Sequence, residues 1–238
     1  MAVDNSIRNK IIFNYMEIIV DKVAYQFPER LTIEQWCHIM QWDFTIQSNW
    51  PKIIAYVTDI PQSLLERGHE EALELGAALI VQQCNARQQT KMRPVNEFNF
   101  GEFVDLDVWL SIGITKHLPD VAKQLVPDTQ WADEALWAVE QWSNYRTGIF
   151  RQYAALFGLD EVEDDEELKV PGNVDPLKTA RNWYKIIVDL ANDDILKIDE
   201  ITEQPLIKVF NFMALRKEKQ EIENMKIREQ NMKLKTQR

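Results

Sequence analysis

An all-α fold is expected: a helical bundle body followed by a long, protruding C-terminal helix. Three observations predict it. Seven Gly and nine Pro in 238 residues are too few for the many turns of an all-β chain. Thr32 with Gln35, and Asn99 with Glu102, stand at capping-box spacing ahead of apolar runs. Beyond Pro205 the chain reads as one very long helix, apolar at first and charged later.

Taken in order, Asp4 or Asn5 is placed to cap a helix over residues 6–26, with Ile11, Ile12, Tyr15, Ile18, Ile19 and Val23 on one face and Pro28 ending it. Thr32 and Gln35 open a helix through WCHIMQW. Ser48 or Asn49 precedes another, with Pro51 in its first turn and KIIAYV following. Pro61 opens a short helix, SLLER, broken near Gly68, and residues 70–85 are helical and apolar on one side. Residues 88–98 are polar around Pro94, so a loop or extended arm is expected. Asn99 and Glu102 then start FVDLDVWLSIG.

Pro119 and Pro127 punctuate the next stretch, and a long helix is expected over residues 131–158, with Leu136, Val139, Trp142, Phe150, Tyr153, Ala154 and Phe157 apolar. Residues 160–167 (DEVEDDEE) are charged except Val162, and with PGN at 171–173 they make a linker. Asp175 caps and Pro176 starts a helix with Leu177, Ala180, Tyr184, Ile187 and Ala191 on one stripe. Pro205 sits in the first turn of the last helix. The expected division is a helical body over 1–159, an acidic linker over 160–174 and a C-terminal helical segment over 175–238.

Charge is uneven. Residues 216–238 hold eight Lys/Arg against four Glu, a net +4 that leaves −15 for the rest of a chain of net −11. An acidic body repels nucleic acid and anionic membranes, while the basic tail suits an acidic partner or a neighbouring copy. Leu215, Ile222, Met225 and Met232 fit a sparse heptad, but Glu218 and Glu229 fall on the same seam. The tail is therefore either a coiled-coil strand or, with Arg216, Lys217, Ile222, Met225 and Met232 as contact residues, a solvated or partner-docked extension. Eight Trp are many for this length, and some are candidates for interfaces as well as core.

Chemistry is sparse. Glu66 and His69 form an E-x-x-H, but di-iron carboxylate sites need two such motifs and two further Glu, and neither His38 nor His117 has a Glu three residues before it. Cys37 and His38 are adjacent rather than at zinc-ligand spacing, and Cys84 has no sequence partner as a nucleophile. Asp105 and Asp107 are two apart on a helix and so do not share a face; capping or an interface is expected rather than acid–base work. Phosphate-loop, dinucleotide and nucleophile-elbow motifs are missing. No enzyme, metal or cofactor is expected. Two isolated cysteines, an N-terminus without a basic-then-apolar leader, and no apolar run near the roughly 20 residues that span a bilayer predict cytoplasmic synthesis without membrane insertion.

FNFGEFVDLDVWL at 98–110, followed by an aromatic helix ending in YAALFG, resembles a pattern of bacteriophage tail and connector-region proteins. NWYKIIVDLANDDILKIDEITEQPLIKVFNFMALRKEK at 182–219 resembles the end segments of similar phage structural proteins and tail-assembly chaperones, with the ring proteins of crAss-like phages the nearest in character. The resemblance implies a non-enzymatic virion protein: a ring of a head–tail connector or tail barrel, in about twelve copies, touching the portal or neighbouring tail rings and passing DNA without binding it specifically. The alternative it implies is a tail-assembly chaperone that binds the tape-measure protein and is absent from mature virions.

Overall fold

The computed structural model describes residues 12–14, 17–20, 23–67, 70–157 and 176–236. The expected linker at 160–174 lies outside the described residues, as do Asp4, Asn5, Gly68, His69 and Asp175. From residue 33 onward the described elements are helices, and the fold is all-α.

The N-terminal segment departs locally from that rule. Strands β1 (Ile12–Asn14), β2 (Glu17–Val20) and β3 (Val23–Gln26) form an antiparallel meander in the register Ile12↔Ile19 and Ile18↔Tyr25. This overturns the helix expected over 6–26 wherever the chain is described. The segment is rich in Ile, Val and Tyr, which lose χ1 freedom in a helix and suit a pleated surface.

The chain divides into two compact units, one of residues 1–92 and 113–140, the other of 93–112 and 141–238. The body expected over 1–159 and the segment expected from 175 divide the chain at other points. Residues 93–112 and 141–157 sort with the C-terminal helices, because those helices bury the aromatic face that these residues present.

In the first unit, α1 (Ile33–Ile39) starts with the expected capping box: Thr32 Oγ1 accepts from Gln35 N–H at 3.1 Å, and Gln35 Oε1 accepts from Thr32 N–H at 3.0 Å. Helix α2 (Trp50–Thr58) has Pro51 in its first turn, but Asn49 does not cap it; the Asn49 amide donates to Asp43 O at 3.0 Å instead. Pro51 needs no acceptor there, so one orphan donor is already removed. Helices α3 (Gln62–Leu65) and α4 (Glu70–Cys84) flank the expected break. Helix α6 (Ile114–Leu125) runs through Pro119, one of the two prolines expected to punctuate this stretch. It buries Leu118, Val121, Ala122 and Leu125, spaced on one face, and that burial outweighs one missing backbone bond.

The second unit is built on α5 (Phe100–Ile112), part of α7 (Ala132–Gln152), α8 (Ala154–Phe157), α9 (Pro176–Leu190), α10 (Ile198–Thr202) and α11 (Leu206–Thr236). Asn99 and Glu102 make the expected capping box at 2.8 and 3.0 Å. The single helix expected over 131–158 steps at Tyr153, whose ring stacks on Phe210 and whose hydroxyl donates to Asn211 Oδ1 at 2.7 Å. The buried stripe of α9 is Trp183, Ile187 and Ala191; Leu177 and Tyr184, expected on it, are exposed. Trp183 is taken by the α5 aromatics, with its ring 5.9 Å from Phe100 and 5.8 Å from Phe103, and that contact sets the rotation of the helix.

Both units share a device. In the first, Thr32 bridges Trp131, with Ile33 N–H donating to Gln130 O at 2.9 Å and Ala132 N–H to Leu31 O at 3.0 Å. In the second, Asn99 bridges Pro205, with Phe100 N–H donating to Gln204 O at 2.9 Å and Leu206 N–H to Phe98 O at 3.3 Å. Two helices thus start side by side in each unit, and each bridge satisfies N-terminal amides that a helix leaves unpaired.

Candidate functional site

The most distinctive surface is the C-terminal helix. Its first part is buried through Leu206, Val209 and Phe210. From 218 to 233 every side chain is exposed, including apolar Ile222, Met225, Ile227 and Met232. Of the five expected contact residues, the structure leaves Ile222, Met225 and Met232 on this exposed length. Arg216 and Lys217 are engaged within the second unit. Arg216 donates to Asp189 O at 3.0 Å and to Asp189 Oδ1 at 3.2 Å, and the Lys217 ammonium donates to Ala155 O. These two cations tie the root of the exposed helix to α9 and α8. Beyond the root, Lys217–Glu221 is an i,i+4 ion pair at 3.9 Å, and the order Glu229–Lys233 repeats that spacing in the favourable direction.

The first unit carries an open groove of about 620 Å³, lined among others by Glu34, Cys37, His38, Tyr56, Lys123 and Thr129. His38 stacks on Tyr56 with ring centroids 4.0 Å apart, and Trp42 meets both edge-on. The groove holds a thiol beside an imidazole, yet burial pushes Cys37 up to about 11, so the thiol stays protonated near neutral pH. Burial pushes Cys84 up to about 12. That argues against thiolate chemistry at either cysteine.

Asp105 is exposed and Asp107 is buried, as their two-residue spacing on α5 requires. Asp107 is held by Arg146 and Trp183, an ion pair and hydrogen bond that sequence spacing did not reveal, because the partners lie 39 and 76 residues away. Among the described residues no three His, Cys, Asp or Glu side chains gather to hold a metal ion, and no helix is long and apolar enough to cross a membrane.

No protein-family model, curated protein or solved structure matches this chain.

Proposed function

We propose that this protein is a structural assembly subunit without catalytic chemistry: a ring component of a phage head–tail connector or tail barrel, in which the exposed part of α11 docks on the next copy. The carrying observation is residues 218–233, an exposed helical length with Ile222, Met225, Ile227 and Met232 in water. A solvated helix of about this length is marginal in water on its own, so a docked state supplies the missing burial. The net +4 of residues 216–238 opposes the −15 of the rest, which gives such a contact electrostatic complementarity. A helix from one subunit on a different face of the next is a heterologous contact, the kind that closes into rings. An acidic wall that does not hold phosphate suits the passage of DNA. The sequence resemblance to phage connector and tail proteins supplies the particular setting, with portal or tail ring neighbours and a place in the virion.

The test removes residues 218–238, leaving the Arg216 and Lys217 anchors. The expected result is a folded chain, by circular dichroism, that no longer assembles in infected cells or in purified particles. Intact assembly of the truncated chain overturns the docking role. Mass spectrometry of particles from the source phage tests the setting: about a dozen copies each fits a ring, whereas absence from particles with presence in infected cells makes the protein a tail-assembly chaperone instead.

A further inference from the structure

We propose that α9 is a second docking face, occupied in the assembly by the acidic turn at residues 193–203 of a neighbouring copy. This rests on the assembly reading above and names a contact which that reading leaves open.

At 100° per residue, Lys178, Arg181 and Lys185 fall on one stripe of α9, opposite the buried stripe of Trp183, Ile187 and Ala191. All three cations are exposed, and none has an acceptor among the described residues. Beside them run the exposed side chains of Leu177 and Tyr184. A fully solvated helix face has no need of a Leu and a Tyr next to three unpaired cations, so the face combines charge with apolar area as interfaces do.

The complementary surface is on the same chain. Ile195 and Leu196 are 75% and 83% exposed, more than any other large apolar side chain described. Around them Asp193, Asp199, Glu200 and Glu203 are exposed and carry no cation partner among the described residues; Lys197 is already paired with Asp194 at 3.2 Å. The tip is preformed. Asn192 and Asp193 adopt left-handed backbone at φ 52° and 61°, and Asp194 Oδ1 accepts from Leu196 N–H at 3.1 Å. Little ordering cost remains when a partner covers it.

Among the described residues the α9 cations find no acceptor, and the acidic turn of the same chain is not paired with them, so that turn meets them from another copy. The two patches differ, and a contact between them is heterologous and propagates into a ring or filament. A phosphate backbone satisfies the same cations but leaves the Leu177–Tyr184 flank and the Ile195–Leu196 tip in water, which favours the protein partner.

The test is a charge swap in the full chain, read by sedimentation velocity. One variant carries Lys178→Glu, Arg181→Glu and Lys185→Glu; the other carries Asp199→Lys, Glu200→Lys and Glu203→Lys. Each alone is expected to weaken self-association by about tenfold or more, and mixing the two restores it, because each variant's altered face then meets its complement. Ile195→Ser with Leu196→Ser, at exposed positions that leave the fold intact, is expected to lose association as the charge variants do. Wild-type protein that stays monomeric up to its solubility limit, single variants that associate normally, or failure of the mixture to recover overturns the proposal. So does loss of association in the acidic-turn variant alone, which makes the α11 tail the occupant. An α9 variant that associates normally but loses retention on a DNA oligonucleotide assigns the stripe to phosphate and also overturns it. If the truncation at 218 blocks assembly while both swaps leave it intact, the assembly reading stands and this one falls; the reverse outcome removes the tail-docking role and keeps the α9 contact.

Discussion

The indole N–H of Trp183 donates to Asp107 Oδ2 at 2.6 Å, while Arg146 holds Oδ1 of the same carboxylate. Asp107 is only 4% exposed, inside a cluster of Phe and Trp rings. A lone carboxylate there would carry a large desolvation cost, and engagement of both oxygens offsets it. The Arg146 guanidinium also lies 4.5 Å over the Phe150 ring. One side chain on α5 thereby fixes α7 and α9, and with both oxygens occupied it is a structural carboxylate.

Asp107→Ala is therefore expected to destabilise the chain by about 2–4 kcal/mol, since it orphans the Trp183 donor and leaves the Arg146 charge partly buried and unpaired. Trp183→Phe, which removes the donor together with part of the buried ring volume and leaves Asp107 Oδ2 unpaired, is expected to cost a comparable amount, about 2–3 kcal/mol. Urea unfolding followed by circular dichroism measures both. An Asp107→Ala midpoint equal to wild type would show that the triad is not holding these helices.

Two glycines on helices give opposite expectations. A Cβ at Gly101 meets Thr202 Cβ at 3.1 Å and Thr202 O at 3.3 Å, whereas one at Gly148 meets nothing within 4 Å. Gly148→Ala is expected to raise stability by up to about 1 kcal/mol through helix propensity. Gly101→Ala is expected to lose that gain to the clash with α10 and lower the melting temperature. The pair of melting curves decides, and a stabilised Gly101→Ala would refute the close approach.

Acid should weaken the first unit through Glu134. Burial pushes this carboxyl up, but the Thr129 hydroxyl at 2.7 Å and the Arg30 guanidinium at 2.7 Å outweigh it and hold the group below its ordinary 4.5. A depressed folded value means stability that is fully present above pH 4.5 and lost as pH falls through the lowered value. Arg30→Gln is expected to flatten that acid limb, compared by urea titrations from neutral pH downward. Identical limbs in the two proteins would remove Glu134 from the explanation.

The thiols offer a simple probe. With Cys37 at about 11 and Cys84 at about 12, both are expected to resist iodoacetamide at pH 7.5 in the folded protein and to react readily in guanidinium. Rapid modification of native Cys37 would mean that its side of the groove opens in solution.

Signals confined to a few neighbouring residues were legible. Thr32–Gln35 and Asn99–Glu102 cap helices as their spacing says, and the length of the last helix follows from its unbroken pattern. The exposure of Ile222, Met225 and Met232 was readable from a seam interrupted by Glu218 and Glu229. The anchoring of Arg216 by Asp189 was not, because a cation next to a basic run looks the same whether it faces solvent or a carboxylate 27 residues back. Nor was the acidic turn, because nothing in the local pattern distinguishes the exposed Ile195 and Leu196 from buried apolar residues.

The sequence by itself determined the helical class, the starts of α1 and α5 and the sign of the charge along the chain, since capping, proline geometry and composition act within about one helical turn. Only the tertiary structure decided that residues 12–14, 17–20 and 23–26 pair as strands, that α9 buries Trp183 rather than Tyr184, and that Asp107 is locked by two distant side chains. Those outcomes turn on which apolar surfaces meet, and competing local patterns of similar energy are separated only by the packing of residues far apart in the chain.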